Sequence, residues 1–162
     1  MRRLCLLFLL IGTYCYAGER KYTVDSPDGK IQLAIIQTDA GELTYQLSVK
    51  RKQVIDASAL GFKTEDGLTF PFRGWKMGKV TRNKVNSVWK PLWGKRAVVP
   101  DKYNEMKLSF VNEAKSSDAL EVVARAYNEG VAFRYVSPQD AGSALELTTF
   151  NFAGDYNAWV FY

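Results

Sequence analysis

Leu120-Glu-Val-Val-Ala-Arg-Ala-Tyr-Asn-Glu-Gly-Val-Ala-Phe-Arg-Tyr-Val136 is the stretch whose reading decides the fold. Leu120, Val122, Ala124 and Ala126 fall on one face of its first arm, with Glu121, Val123, Arg125 and Tyr127 on the other. In the second arm Val131, Phe133 and Tyr135 alternate with Ala132, Arg134 and Val136, which is the two-residue period of a strand. Asn128-Glu129-Gly130 separates the arms, and a glycine free to take positive φ suits a three-residue hairpin loop closing in a bulge. One face of each arm is nearly all apolar, while the other mixes charge, aromatic and aliphatic residues. The pattern predicts the central hairpin of a β-sandwich, packed on both sides, with its outer side carrying something polar.

At 162 residues the chain is long enough for one domain with a real core. Residues 1–17 have the makeup of a cleavable signal peptide: Arg2 and Arg3, the apolar run 4–11, and Cys15-Tyr16-Ala17 before Gly18. That run is too short to span a bilayer. Export to the periplasm or medium follows as the expectation, with a lipoprotein at Cys15 the weaker variant because bulky Tyr14 precedes it. Cleavage would remove Cys5 and Cys15, and the chain has no histidine at all. Disulfides, thiolate or imidazole metal sites and nucleophile–histidine pairs are thereby excluded from the mature chain. Any bound metal would be a hard cation such as calcium. The formal charge of +5 falls to +3 once Arg2 and Arg3 leave. The bases read as scattered apart from Lys50-Arg51-Lys52, which suits a solvated hairpin turn and not a nucleic-acid patch.

The rest of the chain alternates strands and turns. Ser26-Pro27-Asp28-Gly29, Asp39-Ala40-Gly41 and Asp66-Gly67 are turns, with Pro fixing φ and Gly taking the left-handed position. Strands are predicted over residues 21–25, 31–38, 43–49, 53–56, 60–64, 68–72, 103–113 and 145–152, and polar loops over 115–118 and 138–143. No stretch carries a helical period of useful length, so the fold class is all-β. Residues 75–105 are the exception. Trp75, Trp89 and Trp93 fall there, and Trp89-Lys90-Pro91-Leu92-Trp93-Gly94-Lys95-Arg96 reads as a long loop or bent edge. The chain stops inside the aromatic run 156–162, which suggests that more protein follows.

The tryptophan loop is the best candidate for function, because aromatic faces pack on sugar rings while cations and amides take hydroxyls. The competing structural reading is that Trp89 and Trp93 plug the end of a sandwich. Tyr103-Asn104-Glu105 and Tyr127-Asn128-Glu129 repeat one triplet, which turn chemistry also explains. Glycoside hydrolysis needs two carboxylates flanking one bond. No spacing shows that any two of Asp101, Glu105, Glu129 and Asp155 converge.

These motifs, taken in order with Ser26-Pro27-Asp28-Gly29-Lys30, residues 125–135 and Gly154-Asp155-Tyr156-Asn157-Ala158-Trp159, resemble the N-terminal domain of glycoside hydrolase family 97. That family comprises exported bacterial α-glucosidases and α-galactosidases. The resemblance implies an antiparallel β-super-sandwich of the galactose-mutarotase-like type over residues 18–162. A catalytic (β/α)8 barrel and a small β-domain would follow it. It further implies that the catalytic carboxylates and most ligands of a calcium ion come from the barrel, so no catalytic or metal-binding residue is assigned here. The expected partners are a carbohydrate, an α-glucoside or α-galactoside, and the missing barrel, with no nucleic acid and no membrane after signal cleavage. Trp89, Trp93, Arg96, Tyr103, Asn104, Glu105 and Asn128 are the substrate-binding or barrel-interface candidates. Two other readings are a free-standing secreted sugar-binding module and a mutarotase-like enzyme, the latter disfavoured by the missing histidine.

Overall fold

A computed structural model describes residues 19–157 except 66, 72–73, 114–118 and 139–141, and among them every regular element is a strand. The expected signal segment, the loop at 115–118, Asp66, Phe72, part of the 138–143 loop and the terminal 158–162 run lie outside the described residues. The first sheet is a meander of β1 (Arg20–Asp25), β2 (Ile31–Gln37), β3 (Leu43–Val49) and β4 (Lys52–Leu60). Its turns obey the residue chemistry. Gly29 and Gly41 sit at φ 70° and 85°. The loop between β3 and β4 is Lys50-Arg51, both left-handed at φ 50° and 67°, which is the twist-matching two-residue hairpin geometry.

A small third sheet, β11-β5-β6, is formed by β5 (Phe62–Thr64), β6 (Thr69–Phe70) and β11 (Ala144–Glu146), and Phe62 and Phe70 join the shared core. The expected strand over 145–152 is shorter than its pattern suggested. Beyond Glu146 the chain runs beside β4 through bonds such as Leu147 N to Gly61 O and Ala153 N to Val54 O.

The second large sheet has the order β10-β9-β8-β7. It contains β7 (Trp75–Trp89), β8 (Val99–Asn112), β9 (Ala119–Tyr127) and β10 (Val131–Val136). Here the reading of residues 75–105 as irregular is overturned. β7 pairs with β8 from Trp75↔Asn112 to Trp89↔Val99, leaving only residues 90–98 as loop. Two causes hid the strand. A register shift between Met77 and Val80 breaks the two-residue period, and the distal half of β7 has no core to face, so its residues alternate without an apolar side. Only Tyr103 to Val111 of β8 pairs with β9. The remainder of β8, with its partner β7, projects as a two-stranded arm.

The central hairpin is present with a correction. Tyr127 N bonds to Gly130 O and Ala126 pairs with Val131, so the loop is the two residues Asn128-Glu129 and not three. Gly130 is not among the residues at positive φ, and a Cβ there would meet nothing within 4 Å. Glycine is therefore not required at this position.

The core forms between the sheets, from Leu33, Ile35 and Tyr45 on one side and Met106, Leu108, Phe110, Val122 and Ala124 on the other. Phe70 of the small sheet is fully buried and meets Trp75 and Phe110 edge-on at 5.1 and 5.3 Å. Trp75, grouped in the sequence with the loop tryptophans, is thus a core residue.

Candidate functional site

Strand parity sorts the candidates into three places. Tyr103 and Glu105 lie on the outer face of the second sheet, directly opposite Tyr127 and Arg125. Arg125 Nε donates to Glu105 Oε2 at 2.8 Å, and Lys107 Nζ stands 3.9 Å from the other carboxylate oxygen. The Arg125 guanidinium lies 4.3 Å over the Tyr103 ring, which itself lies 5.0 Å from that of Tyr127. Glu105 is only 6% exposed. Its hydrogen bond is the first cause that raises the Arg125 pKa, so the guanidinium remains a fixed cation. Burial pushes the Tyr103 phenol up as well. The polar outer side expected of the central hairpin is this cluster. Arg125 had not been singled out from the sequence, although its alternation placed it opposite the core.

Asn104 and Asn128 serve elsewhere. Asn104 Nδ2 donates to Asp25 O at 2.7 Å, and Asn128 Oδ1 accepts from Asp28 N at 3.0 Å. Both tie the second sheet to the β1–β2 turn of the first. That turn is itself well braced, since Ser26 Oγ and Lys30 N donate to Asp28 Oδ1 and hold its carboxyl down at about 2.

Trp89, Trp93 and Arg96 stand at the tip of the β7–β8 arm. Val99 and Glu105 are six residues apart on one strand, so the tip is about 20 Å from the Arg125 cluster. The structure therefore does not gather the candidates into one site. Trp89 and Trp93 are 55% and 87% exposed, with Leu92 at 99%. Among the described residues they plug no core. A shallow hollow of about 430 Å3 is lined by Trp89, Lys90, Pro91, Leu92 and Trp93. Two indoles beside cations can take a sugar ring or a second protein surface.

A larger cleft of about 570 Å3 between the Thr38–Gly41 turn and the start of β7 had no sequence signal. Its Trp75 is buried and its Lys76 pairs with Glu113, so it presents no free aromatic face. Among the described residues no three Asp or Glu side chains converge. No helix among them is long and apolar enough to cross a membrane.

The family model for the glycosyl-hydrolase 97 N-terminal domain matches residues 24–162. The chain belongs to glycoside hydrolase family 97. A probable retaining alpha-galactosidase of Streptomyces bingchenggensis is 29% identical over 156 residues, covering 94% of this chain and 24% of the relative. The retaining alpha-galactosidase of Bacteroides thetaiotaomicron is 23% identical over 176 residues, covering 96% and 25%. Among solved structures, a family 97 enzyme from Pseudoalteromonas sp. strain K8 in complex with panose superposes with a TM-score of 0.71 at 34% identity. That superposition spans 82% of this chain and 20% of the enzyme. The chain thus spans about a quarter of the length of the curated family 97 relatives it matches, and corresponds to their N-terminal domain. The all-β sandwich expected from the motifs is the fold of this family 97 domain.

Proposed function

We propose that this chain is the carbohydrate-associated N-terminal sandwich of an exported enzyme that hydrolyses α-galactosides or α-glucosides. In this reading it packs on a (β/α)8 barrel, lends the arm tip to the rim of the active site, and performs no hydrolysis alone. The observation that carries the reading is the exposure of Trp89 and Trp93 at the end of a projecting arm in a domain of this family. Indoles left in water on a rigid two-stranded support suit contact with a sugar or with a neighbouring domain beside it. Calcium, if the parent uses it, would be held outside the described residues. Residues 1–17 would direct export and then be removed.

Two observations test this. Reading the coding frame beyond Tyr162 should reveal a barrel-encoding continuation. The chain alone should release no nitrophenol from the p-nitrophenyl α-galactoside or α-glucoside, and hydrolysis by this chain would overturn the reading.

A further inference from the structure

The β7–β8 hairpin holds nine of the chain's 22 Lys and Arg residues and only two of its 17 Asp and Glu. The remainder of the chain therefore has more acids than bases, and the protein's entire positive excess sits on one hairpin. The bases that read as scattered in the sequence are gathered by the fold.

They are also sided. Both acids, Asp101 and Glu105, share the outer-face parity of Tyr103. Arg82, Lys84 and Val88 on β7, with Lys102 and Pro100 on β8, share the opposite parity with Met106. That underside is core only up to Asn104, whose bond to Asp25 O marks where the first sheet ends. Arg82 opposite Met106, Lys84 opposite Asn104 and Lys102 beyond it are all exposed, Val88 further out is 63% exposed, and the three cations make no ion pair among the described residues. Lys107 and Lys76, by contrast, do have acidic partners, Glu105 and Glu113. The row ends at Trp93 and at Lys90, Lys95 and Arg96 of the tip, where no acid intervenes.

We propose that the underside of this arm is a docking track for an anionic saccharide chain, one bearing carboxylate or sulfate groups. A row of cations with no acid on its own face of the two strands seeks a polyanion, and its neutralisation releases counterions, so binding must weaken with salt. The polymer is a saccharide because exposed Trp93 at the end of the row offers a face to a sugar ring, and because the chain belongs to a carbohydrate-active family. The saccharide part of the inference rests on the proposed function. The charge requirement does not, and it names a class beyond the neutral glucosides and galactosides.

The test is affinity electrophoresis of the purified protein in gels containing polygalacturonate, heparin or neutral dextran, with salt titration. Retardation is expected in both anionic gels and not in dextran. Arg82→Ser/Lys84→Ser/Lys102→Ser should raise the apparent dissociation constant at least tenfold. Lys21→Ser/Lys52→Ser/Lys63→Ser removes the same charge from exposed positions of the other sheets and should change it less than threefold. Trp93→Ala should weaken saccharide binding at unchanged charge. The proposal is overturned by equal losses in the two triple variants, by an inert Trp93→Ala, or by absence of retardation. It is also overturned by tighter binding to single-stranded DNA or to anionic lipid vesicles than to either saccharide. None of these readouts involves turnover, so failure of the track leaves the role beside a barrel standing, and failure of that role leaves only the charge requirement.

Discussion

Arg125 Nε donates a 2.8 Å hydrogen bond to Glu105 Oε2 across directly paired positions of β8 and β9. This relationship changes the meaning of Glu105. A carboxylate 6% exposed and bonded to a guanidinium stacked on Tyr103 is held as part of the sheet's outer layer. Removing one partner of such a pair leaves the other with poor solvation.

Arg125→Ala is therefore expected to lower unfolding free energy by about 2 kcal/mol, since Arg125 itself is partly exposed and its loss is softened by water. Glu105→Gln should lose about 1 kcal/mol. Urea denaturation of both, with the double variant, would measure the coupling. Additive losses would mean that the pair contributes nothing of its own.

The hairpin glycine gives a contrasting pair. Gly130→Ala should shift stability by less than about 0.5 kcal/mol, because its φ is ordinary and a Cβ meets open space. Gly29→Ala also meets no neighbour but sits at φ 70°, so it should lose roughly 1 kcal/mol to backbone strain alone. Thermal melts of the two decide whether φ or space governs these turns.

Asp28 supplies a pH dependence. Its carboxyl falls from the ordinary 3.8 to about 2, chiefly through the Ser26 hydroxyl and then the Lys30 amide. A depressed folded-state pKa stabilises the fold above pH 4, and that contribution fades as pH falls toward 2. The stability difference between the parent and Asp28→Asn should accordingly be largest near neutrality and shrink across that window. A difference independent of pH would show that the carboxylate charge is not what matters.

Asn104 ties the second sheet to Asp25 O, so Asn104→Ala should lose about 1 kcal/mol of stability. Retardation by polygalacturonate should stay unchanged. If saccharide binding fell while the melt did not move, Asn104 would belong to a binding site after all.

Much of the fold was legible because the period of two survives wherever one face meets a core. Leu120 to Ala126, Leu33 and Ile35, and Met106, Leu108 and Phe110 all read correctly for that reason. The turns at Gly29 and Gly41 read correctly because only glycine tolerates those φ values cheaply. β7 was illegible from Arg82 onward because a strand with no core to face carries no apolar alternation, and a bulge between Met77 and Val80 had already shifted its phase. The Gly130 turn was misjudged because a glycine can follow a two-residue loop without being required by it. The candidate site was half legible. Residue types placed Trp89, Trp93 and Arg96 together, but only strand register shows that Glu105 faces Arg125 and that Asn104 and Asn128 serve as ties between sheets. The charge segregation needed the fold, because Arg82, Lys84 and Lys102 come into one row only when β7 and β8 pair.

The most direct measurement of the central claim is turnover of an α-galactoside or α-glucoside by the parent polypeptide carrying Trp93→Ala and Arg96→Ala, with its melting temperature recorded alongside. Both side chains stand at the arm tip, away from the core. The account predicts a fall of about tenfold or more in kcat/KM, equivalent to roughly 1.4 kcal/mol of transition-state stabilisation, with the melting temperature almost unmoved. Unchanged turnover, or a melting temperature that falls in step with it, would contradict a role for the arm at the active-site rim.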